Sequence, residues 1–383
     1  MTPDYDYDCI VIGAGGIGSA ALYSLAKRGA RVLGLEQYGI AHDKGSSHGD
    51  TRAIRLVYFE HPDYVPLLKA AYDGWERLEA DSGKALFGRT GILQAGTDSG
   101  EVLSGLLAAA NEHDLPMEQL SSEAANARFT GFDIPASDSA IFDPNGGILK
   151  VEECVRAFVD QAIRFGAEIE ENASVAHWYR ASGAMVVEAG DKRYSARRLV
   201  IAPGAWAPTL LPELAPHLQV LKKSLYWFEP ENDCYHIENG FPVFLFERGG
   251  RTFYGFPALD EKGLKIAEHS GGKPIPNPAA LDRHVETAEL EAVTLALRQY
   301  LPRAGHQLNH HTTCMYTMSR DGHFMVGEYP GMPDVFVTAG LSGHGYKFAS
   351  VLGEIMADLV MEGTTAHPID FLSPSRFAGT GSQ

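Results

Sequence analysis

The chain has 383 residues, 45% of them hydrophobic, and a formal net charge of −17. This length exceeds what one hydrophobic core usually supports, so we expect two domains. The negative charge argues against nucleic acid or an anionic membrane surface as a partner, because both select basic patches. No signal peptide precedes the first predicted strand and no apolar run approaches a membrane span in length, so we expect a cytoplasmic protein.

The cysteines predict neither disulfides nor a metal site. All four lie far apart without a C-x-x-C pair, which fits a reducing compartment. His310 and His311 precede Cys314 closely, but no second cluster completes a tetrahedral site. We therefore expect no bound metal.

The first predicted elements are a strand, a glycine-rich turn and a helix. An apolar, β-branched run at 8–12 leads into Gly13, Gly15 and Gly18, which have the spacing of the dinucleotide fingerprint. These glycines permit a tight turn, the approach of a pyrophosphate and close packing of the helix on the strand. The helix is predicted to begin at Ile17, and its free N–H groups would hold the phosphates.

The second predicted strand, at 31–35, ends at Glu36, about 20 residues after the glycines as the motif requires. A carboxylate there accepts hydrogen bonds from the adenosine ribose and repels a 2′-phosphate, which disfavours an NADP-type ligand. The unit predicts a bound dinucleotide and leaves NAD and FAD both open.

A polar, glycine-rich loop follows at 45–55. Its plain interpretation is a solvated loop, but small residues such as Ser46 would let a ligand approach closely. Arg52 and Arg55 are three residues apart, so a helix over 51–56 would place both on one face beside the cofactor. Either arginine could then hold an anion with two hydrogen bonds.

The middle of the chain alternates helical and strand patterns, and from 218 to 309 it becomes β-rich. Gly204 and Trp206 follow a hydrophobic strand in a turn of the kind that passes near the ribityl chain of FAD. The segments 220–228 and 251–256 are expected to be neighbouring strands of a substrate-domain sheet. Further helices are predicted at 64–80, 101–113 and 151–165, and further strands at 87–94, 168–170, 184–188 and 198–202.

A second glycine-rich strand-to-helix junction lies near the C-terminus. A strand at 335–338 leads into a turn containing Gly343 and Gly345, then into a helix predicted at 346–360. The positive end of this helix would suit the pyrimidine edge of a flavin, where negative charge develops on reduction. Lys347 is placed in the first helical turn, where a cation is unfavourable, and such a local penalty often marks function. Residues 379–383 are expected to form a frayed tail.

These elements predict an α/β fold. A Rossmann-like FAD-binding domain of the glutathione-reductase type would be combined with an α+β substrate domain built on a mixed or antiparallel sheet. The FAD-binding domain is assigned residues 1–85, 147–215 and 312–383, and the substrate-binding domain residues 86–146 and 216–311.

Four sequence blocks resemble the FAD-dependent amine oxidases grouped around monomeric sarcosine oxidase and N-methyltryptophan oxidase. They are GAGGIG with Glu36, GSSHGDTRxIR at 45–55, YGFP…GLK…H at 254–269, and CMYTM with GLSGHGYKFASVLGE at 314–354. The resemblance spans nearly the whole chain in the same order.

The resemblance implies FAD attached covalently, with the sulfur of Cys314 bonded to the flavin 8α-methyl carbon. It also places His48 and Arg52 beside the flavin ring. Together with the motifs above, the expected cofactor contacts come from Gly13, Gly15, Ile17, Gly18, Glu36, Ser46, His48, Thr51, Arg52, Val175, Gly204, Trp206, Cys314, Met315, Gly343, Gly345 and Lys347.

The resemblance also implies roles in catalysis. Arg55 and Lys347 match the arginine and lysine that hold the substrate carboxylate, and Lys265 matches the lysine near flavin N5 that promotes reaction with oxygen. Residues expected to line the substrate pocket are Tyr254, His269 and Tyr316.

The expected activity is oxidation of sarcosine or a similar N-methyl amino acid to an imine, with O₂ reduced to H₂O₂, by a monomer. Leu245 stands where sarcosine oxidases tend to have methionine and Arg320 replaces a usual proline, so the preferred side chain stays open. Alternatives are an oxidase of a larger or cyclic secondary amine (N-methyltryptophan, pipecolate or a fructosyl amino acid), an NAD-dependent dehydrogenase and a non-catalytic flavin-binding protein.

Overall fold

The glycine-rich N-terminal unit forms the centre of a largely parallel sheet. The computed structural model describes residues 5–377, so the expected frayed tail at 379–383 lies outside the described residues. The helices are α1 (Gly16–Lys27), α2 (Val65–Ser82), α3 (Glu101–His113), α4 (Ser122–Arg128), α5 (Val151–Arg164), α6 (Ala207–Leu210), α7 (Thr287–Tyr300) and α8 (Ala349–Glu362).

The strands are β1 (Tyr7–Ile12), β2 (Val32–Leu35), β3 (Thr51–Ile54), β4 (Phe87–Arg89), β5 (Ile92–Gly96), β6 (Glu118–Ser121), β7 (Ser139–Asp143), β8 (Gly147–Lys150), β9 (Glu168–Glu170), β10 (Val175–Ala181), β11 (Ala184–Ala189), β12 (Lys192–Ile201), β13 (Leu218–Phe228), β14 (Val243–Arg248), β15 (Arg251–Phe256), β16 (Leu264–Glu268), β17 (Lys273–Pro274), β18 (Leu308–Ser319), β19 (Met325–Glu328) and β20 (Val335–Ala339).

The first sheet has the order β10-β11-β12-β1-β2-β9, and β20 pairs with β12 and β19. β1 runs parallel to both β2 and β12, with Cys9 opposite Val32 on one side and Arg198 on the other. Helix α1 packs against α5 and α8. This arrangement confirms the expected Rossmann-like α/β architecture, and it brings the ends of β1 and β12 together at the glycine-rich turn.

The second sheet has the order β17-β13-β16-β15-β14-β5-β7-β6, with β18 paired to β13. It is mixed, because β5 and β14 are parallel and the other pairs are antiparallel. The expectation that 220–228 and 251–256 are neighbours was wrong. A short connection folds β16 back beside β15, so β16 lies between that strand and β13. Helix α7 lies in the stretch expected to be β-rich.

The helix considered at 51–56 does not form. β3 pairs antiparallel with β8, with Thr51 opposite Lys150 and Ile54 opposite Gly147, because ladder hydrogen bonds outweigh the weak local helical preference. Arg55 follows the end of β3, so the alternation of side chains along the strand does not fix its direction, and both Arg52 and Arg55 line one small cavity.

Two predicted elements are divided. The strand predicted at 87–94 breaks at Gly91, whose φ of 68° turns the chain out of β4 and into β5, in another sheet. The C-terminal helix begins at Ala349, after a 3-10 turn at Tyr346–Phe348, so Lys347 precedes the α-helix and does not lie in its first turn. Among residues 5–377, no helix is long and apolar enough to cross a membrane.

Candidate active site

A cavity of about 500 Å³ lies where the two glycine-rich junctions meet. Gly15 contributes from the N-terminal turn, and Gly343 and Gly345 contribute from the C-terminal one. The predicted cofactor residues that line it are Gly13, Gly15, Ile17, Glu36, Ser46, Arg52, Val175, Gly204, Trp206, Cys314, Met315, Gly343 and Gly345. One ligand in this cavity would therefore touch both ends of the chain.

Two glycines at the first turn, Gly13 and Gly18, leave no room for a Cβ. Gly13 has a φ of 89°, and a Cβ there would lie 2.6 Å from the carbonyl oxygen of Ala202. A Cβ on Gly18 would lie 1.7 Å from the carbonyl oxygen of Gly13. Gly18 does not line the cavity, and its place in the motif is the close packing of α1 against the turn.

The Glu36 carboxylate is buried at the end of β2. It accepts hydrogen bonds from the backbone N–H groups of Ala14, at 2.8 Å, and Tyr38, at 3.0 Å. His42 Nε2 lies 3.2 Å from Glu36 Oε1, the oxygen that also accepts from Tyr38, and Tyr38 and His42 both line the cavity. The sequence offered no periodic signal for either aromatic side chain.

The loop at 45–52 joins the first turn to β18. Ser47 Oγ accepts from the backbone N–H of Gly16 at 2.9 Å, and Ser46 Oγ donates to the carbonyl oxygen of Met315 at 2.8 Å. Arg52 Nη2 donates to the carbonyl oxygen of Ser46 at 2.7 Å and lies 3.5 Å from Cys314 Sγ. The cavity wall therefore presents a thiol and a guanidinium side by side.

A smaller cavity of about 50 Å³ shares part of this wall, including Arg52 and Tyr316. Its other lining residues come from the second sheet, from β3 and the loop after it, and from the segment before α8. They include Arg55, Glu60, Leu245, Tyr254, His269 and Lys347. The residues expected to bind a substrate carboxylate or line a substrate pocket therefore lie together.

Arg55 is held by a carboxylate that sequence reasoning missed. Its Nη2 donates to both carboxylate oxygens of Glu60 at 2.6 Å, and both side chains are largely buried. Burial alone would raise the pKa of Glu60, but the charge of Arg55, aided by His344 and Lys347, outweighs it and lowers that pKa to about 2. Glu60 lies in an irregular loop, where no pattern distinguishes it.

Lys347 is the second cation of the small cavity. Its Nζ donates to the carbonyl oxygen of His344 at 2.6 Å and lies 5.2 Å from the centre of the Tyr58 ring. Burial, and then repulsion from Arg55, lower the pKa of Lys347 to about 7. An anion that enters the cavity would therefore stabilise the charged form of Lys347.

The two histidines of this cavity are neutral. Burial lowers the pKa of His269 to about 3 and that of His344 to about 4. His344 Nε2 lies 3.1 Å from the carbonyl oxygen of Gly322, which can only accept, so Nε2 carries the hydrogen. Nδ1 then accepts from the hydroxyl of Tyr58 at 2.5 Å. Neither imidazole is poised as a base near neutral pH.

Lys265 and Thr51 lie outside the lining of both cavities and are bonded to each other. Lys265 Nζ donates to the carbonyl oxygen of Gly49 at 2.6 Å and to the carbonyl and hydroxyl oxygens of Thr51 at 3.0 Å. Burial, with repulsion from Arg52, holds the pKa of Lys265 well below its usual value. The ammonium is 5.1 Å from the centre of the Trp227 ring, so it is a buried cation among oxygens and aromatic faces.

The large cavity has the size of a dinucleotide, and the small cavity beside it is lined by cations. This pair of cavities is typical of enzymes that act on a small substrate with a bound dinucleotide. The model of the FAD dependent oxidoreductase family matches residues 8–359. The chain therefore belongs to the FAD dependent oxidoreductase family, and its cofactor is FAD.

Relatives cover almost the entire chain. Monomeric sarcosine oxidase of Streptomyces avermitilis is 38% identical over 99% of each chain. N-methyl-L-tryptophan oxidase of Salmonella arizonae is 34% identical over 97% of this chain and 99% of its own. Among solved structures, that of NikD, described as an unusual amino acid oxidase, superposes with a TM-score of 0.84 at 23% identity, covering 97% and 98% of the two chains.

The residues present fit FAD. Glu36 faces the cavity at the position that binds an adenosine ribose, and the glycine turn leaves room for a pyrophosphate. The hydroxyl of Thr338 lines the cavity and Nε2 of His48 is buried, and neither has a hydrogen-bond partner within the described part of the chain. Burial lowers the pKa of His48 to about 3, so its imidazole is neutral.

Proposed function

We propose that this protein oxidises sarcosine or a similarly small N-methyl amino acid, with O₂ as the electron acceptor. The observation that carries the proposal is the pair of buried cations, Arg55 and Lys347, in a small cavity that shares a wall with the FAD cavity. Relatives named as sarcosine and N-methyl-L-tryptophan oxidases support the same substrate class.

Arg55 and Lys347 come from different segments and would hold the substrate carboxylate from two directions. Such a clamp fixes the carboxylate and leaves the amine end directed to the shared wall. The carboxylate would take over the hydrogen bonds that Arg55 now gives to Glu60. Leu245 and Tyr254 close the cavity, and a volume of about 50 Å³ favours a small substrate.

No histidine or tyrosine of the site is suited to remove a proton from an ammonium near pH 7, and Lys347, whose pKa is about 7, is assigned to the substrate carboxylate. The two histidines are neutral with low pKa values, and burial raises the pKa values of Tyr254 and Tyr316. We therefore infer that the amine reacts as its free base. A pH profile for kcat/KM that follows the substrate amine supports this inference, and one governed by an enzyme carboxylate contradicts it.

Bound FAD supplies the two-electron acceptor for the reaction. The free-base substrate loses the hydrogen of a C–H bond next to nitrogen together with two electrons, and it also loses the N–H proton. The resulting imine is hydrolysed by water. For an N-methyl amino acid the products are the amino acid, formaldehyde and H₂O₂. Lys265 would supply a buried positive charge where negative charge develops on O₂.

We also propose that Cys314 carries the flavin covalently. Cys314 lines the FAD cavity, and its Sγ lies 3.5 Å from Arg52 Nη2. Acid precipitation of the purified protein should leave the yellow colour in the pellet. In Cys314→Ser the colour should move to the supernatant, whereas retained attachment would assign the bond to another residue.

A panel of secondary amines read by H₂O₂ release tests the activity. We expect the highest kcat/KM for sarcosine or another small N-methyl amino acid. Preference for N-methyltryptophan would favour the second candidate, which the 34% identical relative supports. Peroxide formation with none of these amines would refute both. A cytoplasmic monomer remains our proposal, and gel filtration at the mass of one chain would support the oligomeric part.

A further inference from the structure

Strand β13 contains two consecutive buried lysines. Lys222 is 1% exposed and Lys223 is 5% exposed. A buried ammonium is costly unless hydrogen bonds replace its water. Because side chains alternate along a strand, the two lysines point to opposite faces of the sheet. Lys222 Nζ donates to the carbonyl oxygen of His284 at 3.0 Å and to the Glu286 carboxylate at 3.2 Å.

Lys223 is bound to a single turn on the other face. Its Nζ donates to three consecutive carbonyl oxygens, those of His269 at 3.2 Å, Ser270 at 2.7 Å and Gly271 at 3.2 Å. An ammonium has three N–H donors, and this turn uses all of them. A Cβ on Gly272, which has a φ of 127°, would lie 3.2 Å from Lys223 Cδ. The turn therefore packs on the lysine stem as well.

The same turn contributes a residue to the wall of the small cavity. The His269 ring lines that cavity, and its Nδ1 lies 3.3 Å from the hydroxyl of Tyr316, another lining residue. Lys223 Nζ is 5.3 Å from the centre of the Tyr316 ring, within the range of a cation–π contact. The Lys223 ammonium thus contacts the backbone of His269 and the ring of Tyr316.

We propose that Lys223 is a positioning residue that fixes His269 and Tyr316 in the substrate cavity and thereby sets the affinity for the substrate carboxylate. The inference rests on the proposed function, because it takes that cavity as the carboxylate site. Lys222, on the opposite face of the same strand, has no such connection among the described contacts.

The charge of Lys223 gives this role a pH dependence. Burial lowers the pKa of Lys223 to about 8. A neutral amine has one donor fewer and loses its charge-assisted bonds, so the turn should loosen as pH rises through about 8. The charged and titratable groups around Lys223 come from β15, β16 and its turn, β18 and α7, and they are Arg251, Glu268, His269, Cys314, Tyr316 and Glu289.

The test measures the dissociation constant of acetate for the FAD-loaded enzyme, followed by the change in flavin absorbance at pH 7. Acetate is a carboxylate without an amine of its own. We expect Lys223→Met to raise this constant at least fivefold and Lys222→Met to change it less than twofold, although both variants lower Tm. With sarcosine, Lys223→Met should raise KM while the limiting rate of anaerobic flavin reduction changes less than twofold.

Lys223→Arg provides a second variant, which keeps a cation at every accessible pH. Its acetate affinity should match that of the wild type at pH 7. Near pH 8 the affinity of the wild type should fall, and that of Lys223→Arg should not show this fall. The ratio of the two affinities cancels the contribution of Lys347, which is common to both proteins. Equal pH profiles, or equal effects of Lys222→Met and Lys223→Met, would overturn the inference.

The outcomes separate this inference from the proposed function. If acetate fails to perturb the wild-type flavin, both the role of Lys223 and the proposed function are refuted, because the cavity is then not a carboxylate site. If acetate binds the wild type and Lys223→Met equally well, only the positioning role of Lys223 is refuted.

Discussion

Replacing Glu60 by glutamine should strengthen the binding of carboxylate ligands. In the structure, Glu60 accepts from Nη2 of Arg55, while Arg55 Nε has no hydrogen-bond partner among residues 5–377. A ligand carboxylate would therefore compete with Glu60 for Nη2 and for the charge of the guanidinium. Glu60→Gln keeps the shape of the side chain and removes its charge, so Arg55 becomes available.

The size of the effect follows from the bond that is exchanged. Both Glu60 oxygens lie 2.6 Å from Arg55 Nη2, and the two side chains are 13% and 6% exposed. A hydrogen bond to a charged group contributes about 1.5–3 kcal/mol. Since 1.4 kcal/mol corresponds to a factor of ten, the dissociation constant should fall about ten- to a hundredfold.

Titration of the flavin absorbance with acetate at pH 7 measures this change. Glu60→Asp is the matched control, because it keeps the competing carboxylate and should stay within about threefold of the wild type. An unchanged or weaker affinity in Glu60→Gln would refute the reasoning. It would show that Glu60 does not compete with a ligand carboxylate for Arg55.

The same pair predicts a change in acid stability. The folded-state pKa of Glu60 is about 2, below its ordinary value of 4.5, because Arg55 favours the carboxylate. The stability it contributes is fully present above about pH 4.5 and is lost as pH falls through about 2. The free energy of unfolding of the wild type should therefore decline, relative to Glu60→Gln, across this window in urea titrations. Parallel curves would contradict the assigned charge.

Three further predictions concern other parts of the site. Lys265→Met should slow reoxidation of the reduced flavin by O₂ by orders of magnitude, while anaerobic reduction stays nearly intact. Lys262→Met is the surface control. Equal loss of both steps would refute a role of Lys265 in the reaction with O₂. Because the pKa of Lys347 is about 7, acetate affinity should fall as pH rises through 7. In the Lys223→Arg background, where the second titration is absent, Lys347→Met should remove this fall, and its persistence there would exclude Lys347 as the cause. Gly13→Ala should lower Tm more than Gly29→Ala, since both have φ near 85–90° but only Gly13 would meet an atom within 4 Å; equal shifts would contradict the contact.

The parts of the fold that depend on local sequence could be predicted. β1, α1 and β2 are contiguous, and their glycines and Glu36 encode one supersecondary unit. The strand at Thr51–Ile54 could not be predicted, because its partner β8 lies about a hundred residues later and supplies the hydrogen bonds that decide its conformation. The position of β16 between β13 and β15 likewise depends on pairing that no local pattern records.

Site residues could be predicted where family motifs include them. They could not be predicted where a hydrogen-bond partner lies in an irregular loop. The resemblance pointed to Arg55, Lys347, Tyr254, and other residues that the structure brings to one cavity, while their roles stay proposals. It did not point to Glu60, whose loop has no periodicity. Nor could it reveal the interaction of Lys223, because the partners are backbone carbonyls of a distant turn.

Anaerobic addition of sarcosine to the purified, oxidised protein tests the central claim most directly. The account predicts that the visible flavin band is lost, and that one formaldehyde per flavin is released when the imine hydrolyses. A flavin spectrum that remains unchanged with sarcosine and with every other N-methyl amino acid would contradict it.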